Sequence, residues 1–186
     1  MNDSVSTLIN WAPRLAAEAD IGELEALIPL SARGLQTAHY SPEQINAALG
    51  PVFGVDRRLI RDGTYFVVEQ EGRIVGCGGW SRRQSLYGGD QGAAEPNDAL
   101  DPARDTARIR AFFVHPKWAR RGIGRAIMRE CEAAIAKSGF SKVEIVATLS
   151  GEPLYASFGY VVVERFEIRL TGGLSLPAVR MGKEVG

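Results

Sequence analysis

The sequence predicts a single α/β domain built on a mixed sheet, and three observations predict it. The length of 186 residues is enough for one well-buried domain and short for two. A hairpin signature near residues 65–76 sets two strands side by side. Further on, an apolar strand runs through a short glycine turn into the strongest amphipathic helix of the chain.

Residues 1–12 read as a loosely held extension, and Arg14-Leu15-Ala16-Ala17 as a short first strand. Asp20 with Glu23 three residues later resembles a capping box, and Ile21, Leu24, Leu27 and Ile28 recur at helical spacing. Pro29 is expected to kink or break that helix, because it has no N–H to donate to the preceding turn. Ser41-Pro42-Glu43-Gln44 opens a second helix, with Ser as cap and Pro at the first helical position. A third helical piece is expected near residues 56–61.

Tyr65-Phe66-Val67-Val68 and Arg73-Ile74-Val75-Gly76 flank the turn Gln70-Glu71-Gly72, as the arms of a β-hairpin do. Residues 84–105 are rich in Gly, Ala, Asp and Pro and read as a long loop, of the kind that is often functional. Residues 109–114 form the next strand. Its alternation slips at Phe112-Phe113, where two large apolar residues adjoin. Either both faces are covered there or a bulge interrupts the pairing.

Residues 122–138 form the best helix, with Ile123, Ile127, Cys131 and Ile135 on one stripe and Gly139 as its stop. A strand at 143–148, a short helix at 153–158 and closing strands at 160–170 and 178–181 complete the order.

Lys plus Arg equals Asp plus Glu at 22 each, so the chain lacks the basic excess of a generic nucleic-acid or membrane-surface binder. Cys77 and Cys131 have no metal-type spacing and read as core thiols in a reducing compartment. No His/Cys/Asp cluster has metal-ligand spacing, so no metal is expected. No apolar run reaches the ~18 residues of a membrane helix. The start, Met1 to Asn10, does not resemble a signal peptide, which leaves the cytoplasm as the expected location.

The most informative stretch is Phe113-Val114-His115-Pro116-Lys117-Trp118-Ala119-Arg120-Arg121-Gly122-Ile123-Gly124-Arg125. A helix start offers unpaired N–H groups and the positive end of its dipole. Glycines let an anion approach the main chain, and arginines add charge, which suits a pyrophosphate. A dinucleotide-binding unit does not fit, because Ile127 stands where the third glycine of GxGxxG belongs.

Four segments in this order, 109–116, Arg120-Arg121-Gly122-Ile123-Gly124-Arg125, Gly151-Glu152-Pro153-Leu154-Tyr155 and Phe158-Gly159-Tyr160, resemble the GCN5-related N-acetyltransferase (GNAT) superfamily. The resemblance spans roughly residues 14–182. It implies a GNAT-like single-domain fold: a mixed, mostly antiparallel sheet of about seven strands with a splayed central pair and helices on both faces. Residues 1–13 would be an extension and 14–186 one acetyltransferase domain.

The resemblance also implies an activity: transfer of an acetyl group from acetyl-CoA, as co-substrate, to a primary amine by direct attack on the thioester. The pantetheine arm would pair with Phe112, Phe113 and Val114, where the family carries its bulge. The pyrophosphate would sit on Arg120, Arg121, Gly122, Ile123, Gly124 and Arg125. Two departures stand out. Ala119 occupies a position that is often Gln or Arg in the family, which shifts weight onto the arginines and backbone. Leu149-Ser150 replaces an Asn often found after the strand.

An alkylammonium of pKa about 10.4 is neutral only about one part in 2,500 at pH 7, so attack costs roughly 4–5 kcal/mol unless the site lowers the pKa or supplies a base. Tyr155 is the candidate catalytic acid for the leaving thiolate, its phenol about 1.5 units above a thiol. By resemblance its hydroxyl lies near the coenzyme sulfur. Glu69, Glu144 and His39 are candidate bases. Arg57, Arg58, Arg82 and Arg83 are candidates to hold an acceptor carboxylate, and Trp80 and Tyr87 to line the pocket.

The expected partner is a small-molecule or amino-acid-like amine, with no nucleic acid or membrane. A homodimer is expected by analogy alone. The alternatives are a protein or peptide N-acetyltransferase with the same donor site, and an acyl-CoA-binding sensor without transfer activity. An open, acidic acceptor cleft favours peptide; a closed, aromatic one favours a small molecule.

Overall fold

The computed structural model describes residues 10–92 and 97–185. Most of the extension, residues 1–9, and part of the 84–105 loop lie outside the described residues. The elements follow the expected order: β1 (Arg14–Leu15), α1 (Ile21–Leu35), α2 (Pro42–Ala48), α3 (Arg57–Arg61), β2 (Tyr65–Gln70), β3 (Arg73–Ser81), β4 (Ala107–Val114), α4 (Ile123–Lys137), β5 (Lys142–Thr148), α5 (Glu152–Ala156), β6 (Val161–Arg169) and β7 (Ser175–Glu184).

The strands form one seven-stranded sheet in the order β1-β2-β3-β4-β5-β7-β6. Every neighbouring pair is antiparallel except β4–β5, whose connection carries α4 as the crossover a parallel pair requires. One face is covered by α1, α2 and α3, with Leu24, Ile28, Ile45, Leu59 and Tyr65 in its core. The other is covered by α4 and α5, with Ile127, Met128, Ile135 and Tyr155 in its core. The Ile123–Ile127–Cys131–Ile135 stripe is fully buried, which is why α4 lies flat on the sheet. No helix among the described residues is long and apolar enough to cross a membrane.

Two local expectations hold in detail. Ser41 Oγ accepts from the Gln44 N–H at 3.2 Å, and Gln44 Oε1 accepts from the Ser41 N–H at 2.9 Å, a complete capping box. The hairpin turns at Glu71 and Gly72, both left-handed with φ of 53° and 72°. Its arms are longer than the sequence suggested, and so is β7. One expectation fails in its stronger form: α1 runs unbroken through Pro29. The buried Leu24, Leu27, Ile28, Ser31 and Ala32 hold one continuous face against the sheet, and that packing outweighs one lost backbone bond.

Candidate active site

The slip at Phe112-Phe113 is a β-bulge. Cys77 pairs with Phe113 and Gly79 with Arg110, so Ala111 and Phe112 together oppose Gly78. Ala111 takes the left-handed conformation at φ 55°. A side chain on Gly78 would collide with the Phe112 ring, its Cβ falling 2.6 Å from the nearest ring carbon, so the bulge needs glycine opposite. Beyond the bulge β4 leaves β5: the two pair only from Ala107↔Val143 to Ile109↔Ile145. The edge of β4 from Phe112 to Val114 therefore faces a gap in the middle of the sheet.

That gap is a cleft joining the two faces. On the α4 side it is lined by Phe112 and Tyr155; on the α1/α2 side by Val52, Phe53, Leu86, Tyr87, Ile168 and Leu176. Tyr155 is 5% exposed and stacks edge-on against Phe112 and Tyr160 at 6.1 and 6.2 Å. Burial, and to a smaller degree Cys131 nearby, raises its phenol pKa. The phenol stays protonated, as a proton donor must. In the core on the opposite face of the sheet, burial pushes the Cys77 thiol up to about 12.

At the other end of β4 the chain makes a short helical turn and then the glycine loop. Arg120 and Gly122 are left-handed, at φ 63° and 89°. Gly122 is the N-cap of α4, and no side chain caps it, so the first-turn N–H groups are presented outward. Arg120, Arg121 and Arg125 are exposed around them. Arg121 lies over the Trp118 ring at 4.7 Å; Arg125 lies over Phe158 at 5.3 Å and donates to Ser157 Oγ at 3.1 Å. Gly124 sits where a Cβ would come within 3.1 Å of Leu154, so α4 and α5 meet closely there.

The predicted site residues thus fall at two adjoining places, the bulged edge with Tyr155 and the glycine loop. Of the edge, the Val114 N–H is already bonded to Ser31 Oγ of α1 at 3.1 Å. The candidate bases are not in the cleft. Glu69 pairs with Arg14 at the outer end of the sheet. Glu144 is held between Arg108 and Arg180. His39 is exposed in the turn after α1.

The candidate carboxylate clamps are engaged elsewhere too: Arg57 with Asp90 and Glu25, Arg83 with Asp62, Arg58 with Asp56, and Arg82 over Trp80. Trp80 packs edge-on against Phe140 in the α4-side core, whereas Tyr87 does line the pocket.

Four residues to which the sequence reading gave no role in the site's chemistry organise it. Trp11 Nε1 donates to the Arg121 carbonyl at 2.7 Å, which ties the chain's start to the glycine loop. The Tyr65 hydroxyl donates to the Ala111 carbonyl in the bulge. Tyr40 donates to the Pro177 carbonyl and accepts from the Leu149 N–H, joining β7 to the end of β5. Arg110 is buried, and donates to Asp56 Oδ2 and to the Ser85 and Gly88 carbonyls, which pins loop residues 85–88 over the cleft.

A comparison with curated protein sequences found no match. Solved structures share the fold over nearly the whole chain. A GCN5-related N-acetyltransferase from Rhodopseudomonas palustris is 20% identical with a TM-score of 0.71, over 95% of this chain and 97% of that one. The PaiA N-acetyltransferase of Thermoplasma acidophilum, in complex with coenzyme A, is 13% identical with a TM-score of 0.63, over 95% and 99%. The phosphinothricin acetyltransferase of Sinorhizobium meliloti, in complex with acetyl-CoA, is 18% identical with a TM-score of 0.63, over 95% and 89%. The family profile described as an acetyltransferase (GNAT) domain matches residues 61–162, more than half of the chain. With the bulged strand, the parted β4–β5 pair and the glycine loop in place, the chain belongs to the GNAT acetyltransferase family.

Proposed function

We propose that this protein transfers an acetyl group from acetyl-CoA to the primary amine of a small molecule, by direct attack on the thioester. The observation that carries this is the cleft through the sheet, with a buried, protonated tyrosine on one side and a roofed aromatic pocket on the other. Coenzyme A and acetyl-CoA in the Thermoplasma and Sinorhizobium structures support the same donor here.

The glycine loop fits a pyrophosphate: uncapped N–H groups, a left-handed glycine and three exposed arginines converge on one end of α4. The edge of β4 that faces the gap, beside the bulge at Phe112, offers backbone groups to an extended, amide-bearing arm, while Phe113 pairs with Cys77 of β3. The neutral amine nitrogen attacks the thioester carbon from the α1/α2 side. A C–N bond forms, the C–S bond breaks, Tyr155 gives its proton to the departing sulfur, the amine's surplus proton passes to water, and the Tyr155 oxygen regains a proton from water to close the cycle. Among the described residues no carboxylate or imidazole lines the cleft, and desolvation of the amine takes the place of a resident base.

The acceptor side, lined by Phe53 and Tyr87 under loop residues 86–88 and without an acidic residue among the described ones, favours a small molecule over a peptide. A panel of amines incubated with acetyl-CoA, read by release of free thiol, tests this. Amine-dependent release supports transfer. Coenzyme binding with no release for any amine points to a sensor instead.

A further inference from the structure

On the α1/α2 side the cleft is walled by Val52, Phe53, Leu86, Tyr87, Ile168 and Leu176, with Gln36 and Thr148, bonded to each other, at one end. The aromatic rings are fixed in place: Phe53 stacks edge-on against Phe113 at 6.1 Å, and Tyr87 rests against Phe166 at 6.4 Å, bridging the roof loop to β6. Among the described residues, the one charged residue lining the cleft is Arg110. Its guanidinium already meets Asp56 and two loop carbonyls, and the residue is 2% exposed.

The next charges on the same sheet face, Arg108, Glu144, Arg180 and Glu164, lie outside the lining and pair with one another. A second charge on an acceptor would therefore enter this pocket without a partner, which burial strongly disfavours. An apolar body would gain the apolar part of the wall, Phe53 and Tyr87 included.

We infer that the acceptor is a primary amine carried on an apolar body, aromatic or branched aliphatic, with no second charged group. The inference rests on the acetyl-transfer reading. Polyamines, basic or acidic amino acids and polar peptides are then poor acceptors. Tyr87 is the specificity-determining residue best suited to a test, since it sits on a loop and is only half-buried.

The test compares 2-phenylethylamine and isopentylamine with spermidine, lysine, glutamate and a polar peptide, at saturating acetyl-CoA. The expected result is a kcat/KM for the apolar amines at least tenfold above every charged competitor. Tyr87→Ser should raise KM for 2-phenylethylamine several-fold while leaving KM for acetyl-CoA unchanged. Preference for spermidine, an amino acid or the peptide overturns the inference and leaves acetyl transfer intact.

If no amine is consumed, the transfer reading fails. The pocket is then still decided by calorimetry on the protein loaded with coenzyme A. Binding of 2-phenylethylamine that Tyr87→Ser weakens, with none of spermidine, supports the apolar site. The reverse order, or no binding of 2-phenylethylamine, overturns it.

Discussion

The Tyr65 hydroxyl donates to the Ala111 carbonyl across 2.9 Å, and Ala111 holds φ at 55° in the middle of a strand. A left-handed residue other than glycine costs about 1–2 kcal/mol, so the bulge needs an anchor. Tyr65, 1% exposed, supplies it from β2. Tyr65→Phe leaves the Ala111 carbonyl unsatisfied, at a cost of about 1–3 kcal/mol by chemical denaturation. We expect kcat to fall with KM for acetyl-CoA rising less, because the edge of β4 loses its setting. Adding Ala111→Gly, which favours a positive φ, should restore part of the lost turnover; no recovery would place the role of Tyr65 in packing alone.

Trp11 braces the glycine loop from the chain's start. Its Nε1 donates to the Arg121 carbonyl at 2.7 Å, and its ring meets Trp118 edge-on at 6.0 Å. Trp11→Phe keeps an aromatic ring and removes the donor. The expected outcome in steady-state kinetics is a several-fold higher KM for acetyl-CoA with kcat nearly unchanged. An unchanged KM would mean that the loop keeps its shape without the brace.

Tyr155→Phe removes the proposed acid and little else, since the ring contacts with Phe112 and Tyr160 remain. We expect turnover to drop at least tenfold while coenzyme binding, measured by calorimetry, stays near normal. The wild-type pH profile carries a matching signature. Burial raises the phenol pKa, so the donor keeps its proton as the pH climbs past the ordinary value of about 10. The rate should rise with the neutral fraction of the amine and show no loss from phenol ionisation as the pH reaches that value.

Much of the architecture was legible because it is local. The stripe Ile123, Ile127, Cys131 and Ile135 marks α4 within one segment, and the doubled Phe112-Phe113 marks the bulge without any knowledge of its partner strand. Pro29 misled in part, because a propensity argument does not see the sheet that α1 packs on. What stayed hidden is long-range. Trp11 and Arg121 are 110 positions apart, Tyr65 and Ala111 46, and Arg110 and Asp56 54. No periodicity encodes such pairs; only the strand order brings them together. The same holds for Glu69 and Glu144, acidic residues near suggestive strands that lie outside the cleft lining and pair with arginines.

Both cysteines serve the interior. Burial pushes the Cys77 thiol up to about 12 and raises Cys131 well above its ordinary range. We expect neither to react with an aromatic disulfide reagent at pH 8 in the native protein, and both to titrate at once in denaturant. Rapid labelling of the native protein would contradict their place in the core.

The central claim is direct transfer through the sheet, from the coenzyme on the α4 side to a small amine on the other. The most direct measurement follows the acyl group itself, using acetyl-CoA labelled in its acetyl carbons and 2-phenylethylamine as acceptor. The label should move to the amine nitrogen in step with free thiol release, with none retained on the protein. Label that accumulates on a protein side chain, or that stays on coenzyme which the protein binds, would contradict it.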